Sequence, residues 1–113
     1  MLNDRPPLPD LFSALGDPVR LAIVERLLTE GETAAGELSA GFEISAPAIS
    51  RHLAVLHAAG LVTRRADRQR RLYAIEPAAL RALHGWSERH RAFWQGSLAR
   101  LGALMDAEEG PNR

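Results

Sequence analysis

Residues 45–61 constrain the fold more than any other part of the chain, and they read S-A-P-A-I-S-R-H-L-A-V-L-H-A-A-G-L. Ser45 is a residue type that caps helix N-termini, and Pro47 is tolerated in a first turn, where its missing amide hydrogen costs little. Gly60 can adopt the positive φ that ends a helix. The spacing predicts a helix whose buried face carries Ile49, Leu53 and Leu56.

The opposite face of this predicted helix is small and nearly flat, with one long cation. It carries Pro47, Ala48, Arg51, Ala54 and Ala58. A helix that enters a DNA major groove needs short side chains for close approach and an arginine that reaches a base edge or a phosphate. An ordinary amphipathic helix with an alanine-rich outer face fits these residues equally well, so the flanking segments decide between the two interpretations.

The preceding segment predicts a second, shorter helix. In residues 33–42 the apolar side chains Ala34, Leu38 and Phe42 recur at every fourth position. A short helix, a turn and a capped helix in succession form the helix-turn-helix layout.

The segment after Gly60 predicts a basic β-hairpin. One β-prone run begins at Leu61, a second ends at Ile75, and residues 67–69 form a polar turn between them. Five arginines lie on this hairpin: Arg64, Arg65, Arg68, Arg70 and Arg71. This excess of arginine over acidic residues favours a wing that lies along a DNA backbone, because guanidinium groups bind phosphate bidentately. The alternative is a charged edge strand that resists aggregation.

Three segments carry a family resemblance: F-S-A-L-G-D-P-V-R-L-A-I-V-E-R-L-L (Phe12–Leu28), S-R-H-L-A-V-L-H-A-A-G-L-V (Ser50–Val62) and the arginine-rich hairpin that ends in L-Y-A-I. Together they resemble the arsenical-resistance-repressor (ArsR) family of winged-helix transcription regulators, over residues 8–76. The resemblance implies a mainly α-helical winged helix-turn-helix with five or so helices and a two-stranded wing. It also implies a homodimeric repressor whose second helix-turn-helix helix enters the major groove, with the hairpin in or beside the minor groove.

The composition excludes several classes of protein. The chain has 113 residues, which suits a single domain whose thin core would gain from dimerisation. It has no cysteine, which excludes disulfides and thiolate sites. No apolar run is long enough to span a membrane and the N-terminus does not read as a signal peptide, so we expect a cytoplasmic protein.

Charge is strongly segregated although the net charge is zero. Residues 1–50 carry a net −5, residues 51–100 a net +7 and residues 101–113 a net −2. The local field of the basic middle segment governs an encounter with DNA more than the total charge does. We therefore expect salt-dependent binding to double-stranded DNA.

Two further helices are predicted before the helix-turn-helix. Asp17 and Pro18 suit the N-cap and first position of a helix that ends near Gly31. Its expected buried stripe is Val19, Ile23, Leu27 and Leu28. A shorter helix before it would carry Leu8, Leu11, Phe12 and Leu15.

The segment from Pro77 predicts one long C-terminal helix over residues 77–107. The expected division of the chain is then a disordered lead in residues 1–7, a DNA-binding domain in residues 8–76, this helix, and a flexible tail in residues 108–113. The wide apolar stripe of this helix favours pairing with a second copy of the chain. The alternative is packing within one chain. The resemblance implies dimerisation through the first and last helices, and the expected interface residues are Leu8, Leu11, Phe12, Trp86, His90, Phe93, Trp94, Ser97, Leu101 and Leu104.

No inducing signal can be read from the residues. Metal-binding members of the family carry cysteines where this chain reads A-G-E-L-S-A-G, so thiol-based sensing of soft metals is excluded. His84 and Glu88 are four residues apart on one helical face, but metal sites usually need three or four ligands, so we expect no metal and no cofactor. His90 is interpreted as an interface histidine that bonds Ser97 or its own symmetry mate. The aromatic residues of this helix could instead line a pocket for an apolar effector.

An enzyme is not expected, because the chain lacks a phosphate-binding loop, an H-E-x-x-H motif and a cysteine nucleophile. The alternative to a DNA-binding regulator is a winged helix that contacts only other proteins. The expected DNA-contacting residues are Ser45, Ala46, Ala48, Ser50, Arg51, His52, Arg64, Arg65, Arg68, Arg70 and Arg71. Among them Arg51 is the candidate for a guanine contact and His52 for orienting the helix or reaching a phosphate. Arg68, at the tip of a turn without glycine, is the candidate for the minor groove.

Overall fold

A computed structural model describes residues 6–109, so most of the expected N-terminal lead and C-terminal tail lies outside the described residues. In order along the chain, the elements are α1 (Leu8–Leu15), α2 (Pro18–Glu30), β1 (Thr33–Ala34), α3 (Ala35–Ala40), α4 (Ala46–Ala58), β2 (Val62–Asp67), β3 (Arg70–Ile75), α5 (Pro77–Arg89) and α6 (Arg91–Glu109). The predicted mainly helical winged helix-turn-helix is confirmed, with α3 and α4 as its two helices and β2–β3 as its hairpin.

The sheet has three strands rather than the two that the wing alone would supply. The order is β1-β3-β2 and both pairings are antiparallel. The two residues of β1 pair with Tyr73 and Leu72 of β3. A strand of two residues is too short to show the alternation of apolar and polar residues that indicates a strand. Residues 33–34 were therefore expected only as the start of a helix.

Local capping fixes both ends of α4. The Ser45 hydroxyl accepts a hydrogen bond from the Ala48 amide at 3.2 Å, as predicted for an N-cap. Gly60 follows the helix with φ of 86°, and the Leu61 amide donates to the Leu56 carbonyl at 3.0 Å. This last bond satisfies a carbonyl of the final turn and brings two buried leucines together, as in a Schellman motif.

The core lies in the first of the two compact units into which the chain divides, residues 1–83. Its largest fully buried side chains come from α1 to α4 and the start of the hairpin: Leu11, Ile23, Leu27, Leu38, Ile49, Leu53, Leu56 and Leu61. The predicted buried face of α4 is confirmed. In α2 the expectation for Leu28 is wrong, because Val24 is buried there instead and Leu28 is 51% exposed.

The expectation of one continuous C-terminal helix is wrong, because the segment forms two helices, α5 and α6. The helix is interrupted at His90, whose amide donates to the Ser87 carbonyl three residues back at 3.2 Å. The Trp86 and His90 rings lie 4.9 Å apart beside this tightened turn. Basic residues at 89 to 91 also suit a helix C-terminus, since cations there oppose the helix dipole. Among residues 6–109, no helix is long and apolar enough to cross a membrane.

Gly60 should be far less tolerant of substitution than Gly36. A Cβ at Gly60 would lie 2.7 Å from Cγ of Pro6, at a positive φ, whereas a Cβ at Gly36 in α3 would meet nothing within 4 Å. We expect Gly60→Ala to lower the free energy of unfolding by about 2 kcal/mol and Gly36→Ala to raise it by up to ~1 kcal/mol. Urea unfolding at one pH measures both, and equal effects of the two variants would contradict this packing.

Candidate nucleic-acid interface

The outer face of α4 is exposed and nearly free of long side chains. Burial of Ile49, Leu53 and Leu56 turns the remaining residues outward. Of the predicted contact residues on this helix and its cap, Ser45, Ala46, Ser50 and Arg51 are exposed, and Ala48 and His52 are half-buried. The Ser45 hydroxyl, although it accepts the cap bond, keeps its own hydrogen to donate.

His52 lies at the border between the exposed and buried faces, as the sequence suggested. Its side chain is 23% exposed, and its Nδ1 atom lies 3.8 Å from Oδ2 of Asp17. Asp17 also caps α2 by accepting the Val19 and Arg20 amides at 2.9 and 3.0 Å. The hydrogen bond from the Arg20 amide, and then the positive charge of the Arg20 guanidinium, hold the pKa of Asp17 below its ordinary value.

The tip of the wing is a tight turn of two residues, Arg68 and Gln69, between Asp67 and Arg70. Arg68 has φ of 60°, the left-handed region that usually takes glycine. The turn without glycine therefore forms, and arginine occupies its strained position. Arg68 is exposed at the extreme end of the hairpin.

The strand register sorts the remaining wing arginines onto two faces. Arg64 pairs with Tyr73 and Ala66 with Arg71, so Arg64 and Arg71 share one face with the buried Tyr73. Arg65 pairs with Leu72 and Asp67 with Arg70, so Arg65 and Arg70 lie on the other face. The two faces carry equal numbers of arginines, but their surroundings differ.

Acidic residues neutralise the face of Arg65 and Arg70. Arg65 donates from Nε and Nη2 to the two carboxylate oxygens of Glu32, both at 2.8 Å. Arg70 lies 3.6 Å from Asp67 and 3.9 Å from Glu37. Within the described part of the chain, no side-chain hydrogen bond or ion pair involves Arg64, Arg68 or Arg71.

The Glu32–Arg65 pair has the geometry of a strong surface ion pair. The Arg65 guanidinium donates two parallel bonds and holds the pKa of Glu32 below its ordinary value of 4.5, and Glu32 raises the pKa of Arg65 in return. Since Glu32 immediately precedes β1, the pair ties strand β2 of the wing to the turn after α2. Sequence reasoning missed Glu32 and Glu37, because they lie about 30 residues from the arginines that they meet.

The expected interface residues divide between the two compact units. In the first, Leu11 is fully buried in the core, so its assignment to an interface is wrong. Leu8 is half-buried against the same core, and Phe12 is exposed. In the second, the exposed apolar side chains of α6 form a stripe at helical spacing: Phe93, Trp94, Leu98, Leu101, Leu104 and Met105.

Aromatic contacts order the start of this stripe. The Phe93 and Trp94 rings meet edge to face at 5.3 Å, and the Trp86 ring lies 6.4 Å from that of Trp94. Among the described residues no hydrogen bond joins His90 to Ser97: the Ser97 hydroxyl accepts from Arg100 at 3.2 Å, and the His90 ring contacts Trp86. Among residues 6–109, no group of three His, Asp or Glu side chains converges as a metal site would require.

A helix-turn-helix with an exposed second helix and a basic hairpin defines a winged-helix regulator, and comparisons with known proteins identify the family. The sequence model of the bacterial regulatory proteins of the arsR family matches residues 17–64. The chain is 42% identical over 97 residues to the HTH-type transcriptional regulator Rv2034 of Mycobacterium tuberculosis, covering 86% of this chain and 87% of that protein. It is 32% identical over 77 residues to the transcriptional repressor SdpR of Bacillus subtilis, covering 68% and 84%.

A crystal structure of a possible transcriptional regulator for arsenical resistance is also similar, with a TM-score of 0.68 and 39% identity over 83% of this chain and 94% of that one. The chain therefore belongs to the ArsR family of helix-turn-helix regulators. It is a DNA-binding transcriptional regulator and not an enzyme.

Replacing Glu32 should destabilise the protein at neutral pH but not in acid. A carboxyl group with a lowered pKa stabilises the fold above its ordinary value of 4.5, and that contribution is lost as the pH falls below it. The difference in free energy of unfolding between wild type and Glu32→Gln should therefore be largest near neutral pH and vanish in acid. Urea unfolding across pH measures it.

Glu43→Gln is the matched control for this measurement, because Glu43 is exposed and makes no ion pair among the described residues. A Glu32→Gln deficit that persists unchanged in acid would show that the ion pair is not its source.

Proposed function

We propose that the protein is a cytoplasmic homodimeric repressor that binds an inverted repeat in a promoter, without metal or other cofactor. The observation that carries the proposal is the exposed, short-chained face of α4 in the same unit as a wing with three unpaired arginines. Short side chains permit a helix to approach base edges, and unpaired guanidinium groups bind phosphates. The similar protein SdpR is a transcriptional repressor, which supports repression as the direction of regulation.

Within this proposal the arginines have different roles. Arg51, the one long cation on the exposed face of α4, reads a base edge, most favourably a guanine. Arg64 and Arg71 contact the sugar-phosphate backbone, and Arg68 at the strained tip reaches the minor groove. Arg65 and Arg70 serve chiefly to hold the wing in place, since their guanidinium groups already face carboxylates.

Fluorescence-anisotropy titration on the DNA upstream of the protein's own gene tests the function. A scrambled duplex of the same composition is run beside it at several salt concentrations, with metal chelated. Preferential, salt-sensitive binding to the upstream duplex supports a metal-independent regulator. Equal weak binding to both duplexes counts against it and favours a winged helix that contacts other proteins.

Removal of unpaired and paired wing arginines should have different effects on salt dependence. Each phosphate contact contributes about 0.9 to the slope of log K against log salt concentration. We expect Arg71→Gln to lower the slope by about 0.9, and Arg65→Gln to leave it nearly unchanged. Both variants remove one charge from the same strand pair, so an equal loss of slope would contradict the division of roles between the two faces.

Arg51→Ala should relax sequence preference. If Arg51 reads a base, the variant loses about 1–3 kcal/mol on the upstream duplex and much less on the scrambled one. Competition titrations with duplexes changed one base pair at a time would locate the position at which the preference disappears. Equal losses on the two duplexes would identify Arg51 as a backbone contact instead.

Dimerisation through α6 is the second part of the proposal, since its exposed stripe includes Phe93 at 62% and Leu101 at 54% exposure. Leu101→Asp should raise the dimer Kd by ~100-fold or more, because a two-fold interface buries the new charge twice. Ala99→Asp, an exposed position on the opposite face of α6, is the matched control. Sedimentation equilibrium distinguishes them, and equal effects of the two variants would contradict this interface.

A further inference from the structure

Three charged or polar side chains from two separate sequence motifs meet at a junction of three helices. Asp17 and Arg20 come from the G-D-P-V-R segment at the start of α2, and His52 comes from the S-R-H-L segment of α4. The Oδ2 atom of Asp17 accepts the cap bonds from the amides of Val19 and Arg20. The same Oδ2 atom lies 3.8 Å from Nδ1 of His52.

Arg20 is the connecting residue of this junction. Its Nε donates at 2.7 Å to the carbonyl oxygen of Ala14, a buried residue in the last turn of α1. Its Nη1 lies 3.4 Å from Nδ1 of His52. Arg20 belongs to α2, and its planar guanidinium therefore contacts both α1 and α4. The single ammonium group of a lysine could not make both contacts.

A hydrogen bond from Arg20 to Nδ1 requires one particular tautomer of the His52 ring. A guanidinium has donors only, so it can bond Nδ1 only when that nitrogen carries a lone pair. The neutral ring must then hold its hydrogen on Nε2. Protonation at Nδ1 would remove the acceptor and place two cations side by side, with Asp17 alone opposing them.

The contact between Arg20 and His52 restricts the rotation of α4, which the apolar face of the helix does not. Ile49, Leu53 and Leu56 hold the helix against the core, but apolar contacts are not directional and tolerate small rotations. A hydrogen bond to one ring nitrogen is directional. His52 directly follows Arg51, so the angle at which Arg51 leaves the helix depends on the rotation that this bond permits.

We propose that Arg20 and His52 are positioning residues for DNA recognition, in which the Arg20 guanidinium sets the rotation of α4 through Nδ1 of His52. The proposal rests on the proposed DNA-binding function and deepens it. In this proposal His52 orients the helix and does not itself contact a DNA phosphate. It also gives a physical reason for the G-D-P-V-R and S-R-H-L segments to occur together, since each supplies one side of the same contact.

The affinity ratio between the upstream and scrambled duplexes tests the proposal in folded variants. His52→Leu removes the acceptor, and Arg20→Lys removes the planar bridge. Each should lower the ratio about tenfold, the size of one misplaced base contact, while affinity for the scrambled duplex and the salt slope stay near wild type. His52→Asn should retain most of the ratio, because its amide oxygen places an acceptor near the position of Nδ1.

An independent measurement needs no DNA. Nitrogen-15 chemical shifts of the imidazole, with His52 assigned by its loss in His52→Asn, report the tautomer of the wild-type protein. We expect the neutral ring to be in the Nε2–H form in the wild type, and in Arg20→Lys to be a mixture of both neutral forms.

Three results would overturn the proposal. The first is an Nδ1–H tautomer in the wild type, and the second is a His52→Asn variant as defective as His52→Leu. The third is an equal loss of affinity for both duplexes in His52→Leu, with a lower salt slope, which would make His52 a phosphate ligand. Failure of the wild type to discriminate the duplexes would instead refute the proposed function, and the tautomer measurement would still decide whether the junction exists.

Discussion

Burial of one apolar face of α4 is the constraint on which the rest of the site depends. Ile49, Leu53 and Leu56 are fully buried, and their burial leaves the opposite face to solvent. The Ser45 cap and the Gly60 turn then fix where this face begins and ends. Gly60 also starts the chain on its way into β2, so the position of the wing follows from the same helix end.

The wing shows how a chain with no net charge can present a basic surface. Glu32, Glu37 and Asp67 lie against Arg65 and Arg70 on one face of the hairpin. Arg64 and Arg71 lie on the other face, and the residues that the structure describes offer them no carboxylate. Local pairing therefore concentrates positive charge on one face and the tip of the hairpin, and it adds an ion pair that holds the hairpin to the turn after α2.

The sequence predicted those parts of the fold that depend on local signals. α4 was predicted from its cap, its periodicity and its terminal glycine, and α2 from Asp17 and Pro18. β1 has only two residues and exists because β3 pairs with it, so no local pattern indicates it. The break at His90 has neither proline nor glycine at the break itself, and the exposure of Leu28 depends on which neighbouring elements cover α2.

The same distinction applies to the site. The sequence identified the wing arginines as one basic set, whereas the register of β2 on β3 and the distant Glu32 divide them into two groups. It placed His52 at the edge of the buried face, but the contact with Arg20 crosses 32 positions of the chain and could not be read from spacing. Contacts between residues that lie far apart in the sequence decide these roles, and the local periodicity of a single sequence does not reveal such contacts.

Methylation interference on the upstream duplex tests the central claim most directly, because methylation of guanine N7 blocks the major groove without altering the backbone charge. If α4 of each protomer enters that groove, methylated guanines should abolish binding in two clusters with centres about 10–10.5 base pairs, or a multiple of that, apart. Arg51→Ala should weaken the interference at one guanine in each cluster. Specific binding that is indifferent to N7 methylation at every position would contradict major-groove recognition by α4.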